Sequence, residues 1–289
     1  MSYWDNPGKV IDTMFGLPDK KGFNGAYDAM KAGYRDRESR TFAFPAEYMF
    51  KDVPDIANIA DPVGYTVEQM DKYNIERAFL ALNTFSDMNA EARDRFPERF
   101  VFDLPIDPNY GMDEIGRIRG LMKEYDVRAL SFFPSGSYPQ VAINAKEMYV
   151  FYAFCVDNDL PILVNAGVPG PRYPMAPQMV ELIDEVCWFF PDLKFVMRHG
   201  AEPWEALAAK LMLKWPNLYY STSAFAPKHY PRAIIDFANT RGADKVMFSA
   251  YWPMGLSIER VFRELRDVPF RDHVWPKFMY ENAKKLFRL

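Results

Sequence analysis

The chain has little histidine, little cysteine and no excess of positive charge. Of its 289 residues only three are histidine: His199, His229 and His273. A site that gathers four or five histidines around a metal is excluded at the outset. The two cysteines, Cys155 and Cys187, form no Cys-x-x-Cys pair. That rules out a disulfide scaffold or a cysteine-rich metal site, and it fits a reducing cytoplasm. Lysine and arginine number 35 against 39 acidic residues, a net charge of −4. A nucleic-acid surface needs clustered basic excess, so no such partner is expected. No apolar run reaches the roughly 18 residues of a membrane span. The first residues lack a basic stretch followed by an apolar one, so no secretory signal is visible and no membrane partner is expected. No Gly-x-Gly-x-x-Gly or P-loop pattern follows any strand-like run, so nucleotide binding has no support.

What is present is ordinary globular material, 49% hydrophobic and 26% charged, which excludes a disordered chain. Eight short apolar runs recur: Lys9–Met14, Arg77–Leu82, Phe100–Leu104, Arg128–Phe133, Pro161–Val164, Leu193–Met197, Leu218–Ser221 and Lys245–Phe248. Segments with apolar residues three and four apart lie between most of them: Asp113–Tyr125, Ala145–Asn158, Ala176–Phe190 and Trp204–Trp215. That spacing gives each segment one buried stripe. Strands alternating with helices predict a parallel sheet, and nearly continuous apolar strands predict burial on both faces. Eight such units close into an α/β (β/α)8 TIM barrel over residues 1–289, a single domain, with a doubly wound open sheet as the alternative. A long segment, residues 17–65, follows the first strand and is rich in aromatics such as Phe42, Phe44, Tyr48 and Phe50. Loops this long carry function or structure of their own, and this one reads as a lid or a dimer contact. Thr66-Val-Glu-Gln69 has capping-box spacing and is expected to open the helix before the second strand.

In a barrel, reactive side chains stand at the C-terminal ends of strands. Those positions hold Asp12 and Met14, Asn83-Thr84, Asp103, Ser135, Asn165, Arg198-His199 with Glu202, Ser223, and Tyr251-Trp252. His199 is the candidate general acid/base, because imidazole titrates near neutral pH. Asn165 and Tyr251 are candidate oxyanion donors, and Asp12 is a candidate for orienting a neighbour. Arg198 can grip a carboxylate. If strand alternation holds, Arg198 and His199 point to opposite faces, and one of them faces the helices. His229 and His273 fall in loop contexts and read as surface or packing residues. The 42–54 segment and Trp252-Pro-Met254 are expected to line an apolar pocket.

Several motifs together carry a resemblance. They are Val10-Ile-Asp12, Leu163-Val-Asn-Ala-Gly167, Arg198-His-Gly-Ala-Glu-Pro-Trp204, Lys214-Trp-Pro-Asn-Leu-Tyr219, Ser223, Lys245-Val-Met-Phe-Ser-Ala-Tyr-Trp-Pro253 and Glu281-Asn-Ala-Lys-Lys-Leu-Phe287. In order along the chain, these resemble the amidohydrolase-related family of (β/α)8 proteins. That family includes aminocarboxymuconate-semialdehyde decarboxylase-like enzymes and aromatic acid decarboxylases. Its metal ligands are the two histidines of Ile-Asp-x-His-x-His, a histidine ending the fifth strand and an aspartate in the eighth. Here those positions hold Met14, Gly16, Asn165 and Tyr251. The resemblance leaves His199 as the retained proton-transfer residue and implies a subgroup without the metal and without another cofactor.

The expectation is a hydrolase or lyase acting without a metal on a small, largely apolar carbonyl, carboxylate or ester-type compound. His199, Tyr251, Asn165 and Asp12 would do the chemistry. Met14, Arg198, Glu202, Ser223, Trp252, Arg172 and Tyr48 would bind the substrate. Two alternatives stay open: a non-catalytic binding or scaffold relative, and a decarboxylase with an atypical metal site. The expected partners are a small molecule and further copies of the chain, as a homodimer or larger homo-oligomer.

Overall fold

The computed structural model describes residues 3–18, 28, 30–51, 53–56, 58–82 and 87–289; Asn83 and Thr84 lie outside them. Eight strands form one parallel sheet in sequential order. They are β1 Val10–Phe15, β2 Ile75–Ala81, β3 Phe100–Pro105, β4 Val127–Phe132, β5 Ile162–Asn165, β6 Phe195–Arg198, β7 Leu218–Ser221 and β8 Val246–Met247. Thr13 N donates to Phe248 O, and Tyr251 N to Met14 O, each at 3.2 Å. These bonds bring the two edges together, and the fold is a (β/α)8 TIM barrel. Helices fill the connections: α1 Pro62–Lys72, α2 Met88–Arg95, α3 Gly111–Leu121, α4 Lys146–Asp157, α5 Leu182–Phe189, α6 Glu205–Lys214, α7 Arg232–Thr240, α8 Ile258–Leu265 and α9 Asn282–Phe287. Among the described residues, no helix is long and apolar enough to cross a membrane.

Two local expectations need correction. The helix expected over 176–190 is a 3-10 turn, Ala176–Gln178, followed by α5, because Met179 turns to extended backbone. Thr66 does not open α1. The Asp61 carboxylate caps it by accepting from Gly64 N at 2.9 Å, with Pro62 in the first turn. An Asp cap with proline behind it starts the helix five residues before the expected cap. Thr66 sits inside the helix and donates to Pro62 O at 2.8 Å.

Alternation along the strands builds two layers. Outward side chains pack against the helices. Inward, Ile11, Phe79, Val101, Ala129, Leu163, Val196 and Met247 form a separate cluster, joined by Ala283, Leu286 and Phe287 of α9. The ring of Phe287 lies 4.6 Å from that of Phe79, so α9 seals the N-terminal end of the barrel. Phe287→Ala is expected to lower stability by about 3–5 kcal/mol, since it empties a buried ring position. Urea unfolding reads this; a change under about 1 kcal/mol would remove α9 from the core.

Beyond that cluster, toward the C-terminal ends of the strands, the inner layer turns polar: Thr13, Asp103, Ser131, Arg198, Ser221 and Ser249 are all buried. This layer carries the C-terminal mouth. Residues 30–51, after β1, fold over that mouth and are tied to the β5–α5 connection. Tyr48 OH donates to Gly170 O at 2.7 Å and Tyr173 OH to Met30 O at 2.6 Å. Arg172 pairs with Asp36 and Glu38, each at 2.8 Å.

Candidate active site

The strand ends and residues 30–51 border a cavity of about 720 Å³. Met14 from β1, Asn165 from β5, His199 after β6 and Tyr251 after β8 reach it together. The backbone at the mouth is unusual. His199, Ala201, Ala224 and Tyr251 all have φ between 59° and 69°. Residues with a Cβ rarely take this left-handed conformation, and such strain gathers at functional sites. It corrects the alternation argument. Arg198 still belongs to β6 and points into the barrel, while His199 has left the strand and turns into the cavity. Neither faces the helices.

The His199 ring is held on one side by Ser223, whose Oγ lies 3.2 Å from Nδ1 and also accepts from the His199 backbone N–H at 3.2 Å. A hydroxyl can accept from Nδ1–H or donate to Nδ1, so it supports either tautomer. The other ring nitrogen, Nε2, can therefore present a lone pair or a proton. Burial first, and the Arg198 guanidinium second, push His199 down to about 3. The resting imidazole is neutral. The Tyr251 ring meets it edge-on, 5.4 Å between centroids, and stacks on Phe50 at 5.8 Å. Burial pushes the Tyr251 phenol up to about 12, so at neutral pH it is an O–H donor.

The remaining expected site residues divide. Glu202 lines the cavity, as Met14 does. Asp12 is fully buried and accepts from Met14 N at 3.0 Å and from Ala250 N at 3.0 Å. It ties the end of β1 to the residue before Tyr251 and does not line the cavity; burial pushes it up to about 8. Arg198 lies in the polar layer below. Ser223 stands behind His199. Trp252 is buried against Phe15 and Tyr65, so its ring packs in the core and does not line the pocket. Arg172 and Tyr48 belong to the tie across the mouth, with the guanidinium 4.8 Å over the Tyr48 ring.

His229, expected at the surface or in packing, is exposed, and from the turn Pro227–His229 it also borders the cavity, alongside Lys228. That turn follows β7, so the strand-end rule covers it too. Lys51 and Arg260 also line the cavity and were not singled out from sequence. His273 is exposed. Both cysteines are buried. Burial raises their thiols, Cys187 to about 12, so neither supplies a thiolate nucleophile.

A family model described as amidohydrolase matches residues 16–289. The chain belongs to the amidohydrolase family. No curated protein matches the sequence. Solved structures share the fold of this family member at low identity. An uncharacterised TIM-barrel protein from Bordetella bronchiseptica is 23% identical, with TM-score 0.75, covering 97% of this chain and 98% of that one. A 5-carboxyvanillate decarboxylase from Sphingomonas paucimobilis is 14% identical, with TM-score 0.68 and coverage of 97% and 99%. A 4-oxalomesaconate hydratase from Rhodopseudomonas palustris is 15% identical, with TM-score 0.65 and coverage of 96% and 95%.

The side chains of this amidohydrolase-family chain do not fit the divalent metal that the family pattern implies. Among the described residues, no three His, Cys, Asp or Glu side chains are grouped to hold one. Asn165 and protonated Tyr251 are neutral oxygen donors, and the Met14 thioether is a soft, weak one. At Gly16 even a Cβ would lie 2.9 Å from Pro253 Cδ and 3.3 Å from Trp252 O. That position has no room for a histidine.

Proposed function

We propose that the chain is a hydrolase or lyase that works without a metal on a small, largely apolar compound bearing a carbonyl, ester or carboxylate group. The observation that carries this reading is the convergence of His199, Asn165 and Tyr251 on one cavity floor. Held down to about 3, and not at the near-neutral value of an ordinary histidine, the neutral imidazole is a weak base; it takes a proton from a substrate position made acidic as Asn165 and Tyr251 hold the neighbouring oxygen, and returns it through the same nitrogen. Asn165 Nδ2–H and Tyr251 O–H are donors for a substrate oxygen that gains negative charge. Apolar side chains, Met30, Met49, Phe50, Phe133, Phe225 and Leu256, supply walls for a hydrocarbon or aromatic body. Lys51, Lys228 and Arg260 also line the cavity, where Glu202 is the one acidic residue among the described lining residues; Arg260 is paired with Glu264 at 2.8 Å, and the two lysines favour an acid group on the substrate. The decarboxylase and the hydratase among the structural neighbours are both named for carboxylic acids, which supports the same class.

Two measurements test the reading. Elemental analysis of protein purified without chelator is expected to give well under one metal per chain; stoichiometric zinc or manganese would overturn the metal-free part. Crystals soaked with substituted benzoates and short aliphatic acids are expected to show density among His199, Asn165 and Tyr251. Density confined to other surfaces would remove this cavity as the substrate site.

A further inference from the structure

Directly beneath the cavity floor lies a charge that the proposed chemistry does not use. Arg198 is 4% exposed and precedes His199 on β6. Its Nη2 donates to Thr13 O at 3.0 Å. Its Nη1 reaches the Asp103 carboxylate at a long 3.3 Å. Its Nε is buried with no hydrogen-bond partner. A guanidinium carries five N–H donors and cannot shed its proton in a protein, so this one is both permanent and under-satisfied. Among the described residues its one ion pair is with the equally buried Asp103. Besides Asp103, the layer offers a cluster of hydroxyls, with Thr13 Oγ1 3.1 Å from Ser221 Oγ, 2.7 Å from Ser249 Oγ, and the two serines 2.7 Å apart. Hydroxyls are dipoles and contribute no countercharge.

This charge stands below the positions where the family pattern would gather ligands round a cation, and here those side chains do not fit one. We propose that Arg198 is the resident cation of the site, a positioning residue that favours negative charge on the cavity floor from beneath, through His199 and Tyr251, without touching the substrate. The inference rests on the reading of those residues as the working floor. Three surrounding groups respond to Arg198 in the same sense: its charge opposes protonation of His199, Asp12 and Tyr251. Asp103 on β3 is its direct counterion. Asp12 on β1 is raised by burial and adds little negative charge near neutral pH. Around His199 itself stand the Ser223 hydroxyl and the Tyr251 phenol, both neutral. Glu202, Lys228, His229, Lys51 and Arg260 line the cavity above. An oxyanion formed on the floor gains from the buried charge below it.

Three histidines make the test direct. In protein labelled with ¹⁵N-histidine, each ring is assigned through His229→Asn and His273→Asn and titrated by NMR. Arg198→Met is expected to raise the proton affinity of His199 about tenfold or more. Arg198→Lys, which keeps the charge, is expected to raise it clearly less, and His273 to stay still in both. An unchanged His199 in Arg198→Met, or equal rises in the Met and Lys variants, overturns the proposal. If Arg198→Met does not fold because Asp103 is left unpaired, Arg198→Met/Asp103→Leu removes both buried charges. A rise is again expected there, and an unchanged His199 again overturns the proposal. No substrate is needed, so a flat titration leaves the catalytic reading standing. Failure of the metal or soaking tests leaves the effect of Arg198 on His199 readable.

Discussion

His199→Ala is expected to lower turnover about a hundredfold or more, the usual worth of a positioned proton carrier. The loss should fall on kcat. The cavity walls that bind an apolar body come from Met30, Met49, Phe50 and their neighbours, not from the imidazole. Steady-state kinetics on whichever acid or ester the protein consumes reads both parameters, and unchanged turnover would remove His199 from the mechanism. The pH profile carries a second signature. Because His199 is held down to about 3, its neutral form is present throughout pH 5–8, and its protonation should cause no acid-side loss of activity near pH 6.5. The same shift acts on stability, and its sign is fixed by proton counting. Above the ordinary histidine value of 6.5, folded and unfolded chains both carry the neutral ring. Below it, the unfolded chain takes up a proton that the fold refuses. This contribution is therefore complete above pH 6.5 and is lost as the pH falls toward about 3. In His199→Ala, the slope of stability against pH over that window should be shallower.

Gly16→Ala is expected to destabilise the protein by about 1–3 kcal/mol, the range for adding a methyl group to a packed site. The new Cβ meets the Pro253 ring at 2.9 Å, which is backbone-anchored and cannot swing aside. Met14→His/Gly16→His, which rewrites the family's first-strand pattern, is expected to be less stable still and to bind no stoichiometric metal. Thermal unfolding and elemental analysis of the purified double variant check both parts. A stable double variant holding one zinc per chain would show that the site lacks only ligands, and that the approach of β1 to the Trp252-Pro253 turn does not stand in the way.

The barrel was legible because each of its strands is a short apolar run, and all eight runs fell within two residues of the observed strands. The strand-end rule then reached Met14, Asn165, His199 and Tyr251, whose placement needs only the fold. Lys51, Lys228 and Arg260 were not reached. Lys228 stands in the turn after β7, within reach of the strand-end rule. Lys51 comes from the segment after β1 and Arg260 from α8; their arrival at one cavity depends on how distant segments pack, and no local pattern encodes that. Arg198 failed for a different reason. Period-two alternation tells that neighbours part company, but not which of the two faces inward. It also breaks where His199 takes φ 65°. Asp12 illustrates the limit of residue type alone. A carboxylate at a strand end reads as chemistry, yet this one is spent on two backbone N–H groups.

The cover over the mouth has a consequence for how such a protein changes. The floor groups stand in or just after strands. Much of the wall comes from residues 30–51 and from the β5–α5 connection, joined by Tyr48, Arg172 and Tyr173. Surface segments accept insertions and replacements far more readily than strands do. A large part of ligand selection is thus written in stretches of sequence apart from those that execute the reaction. A new specificity can be grafted by exchanging one cover for another, with the proton carrier and its donors left where they are.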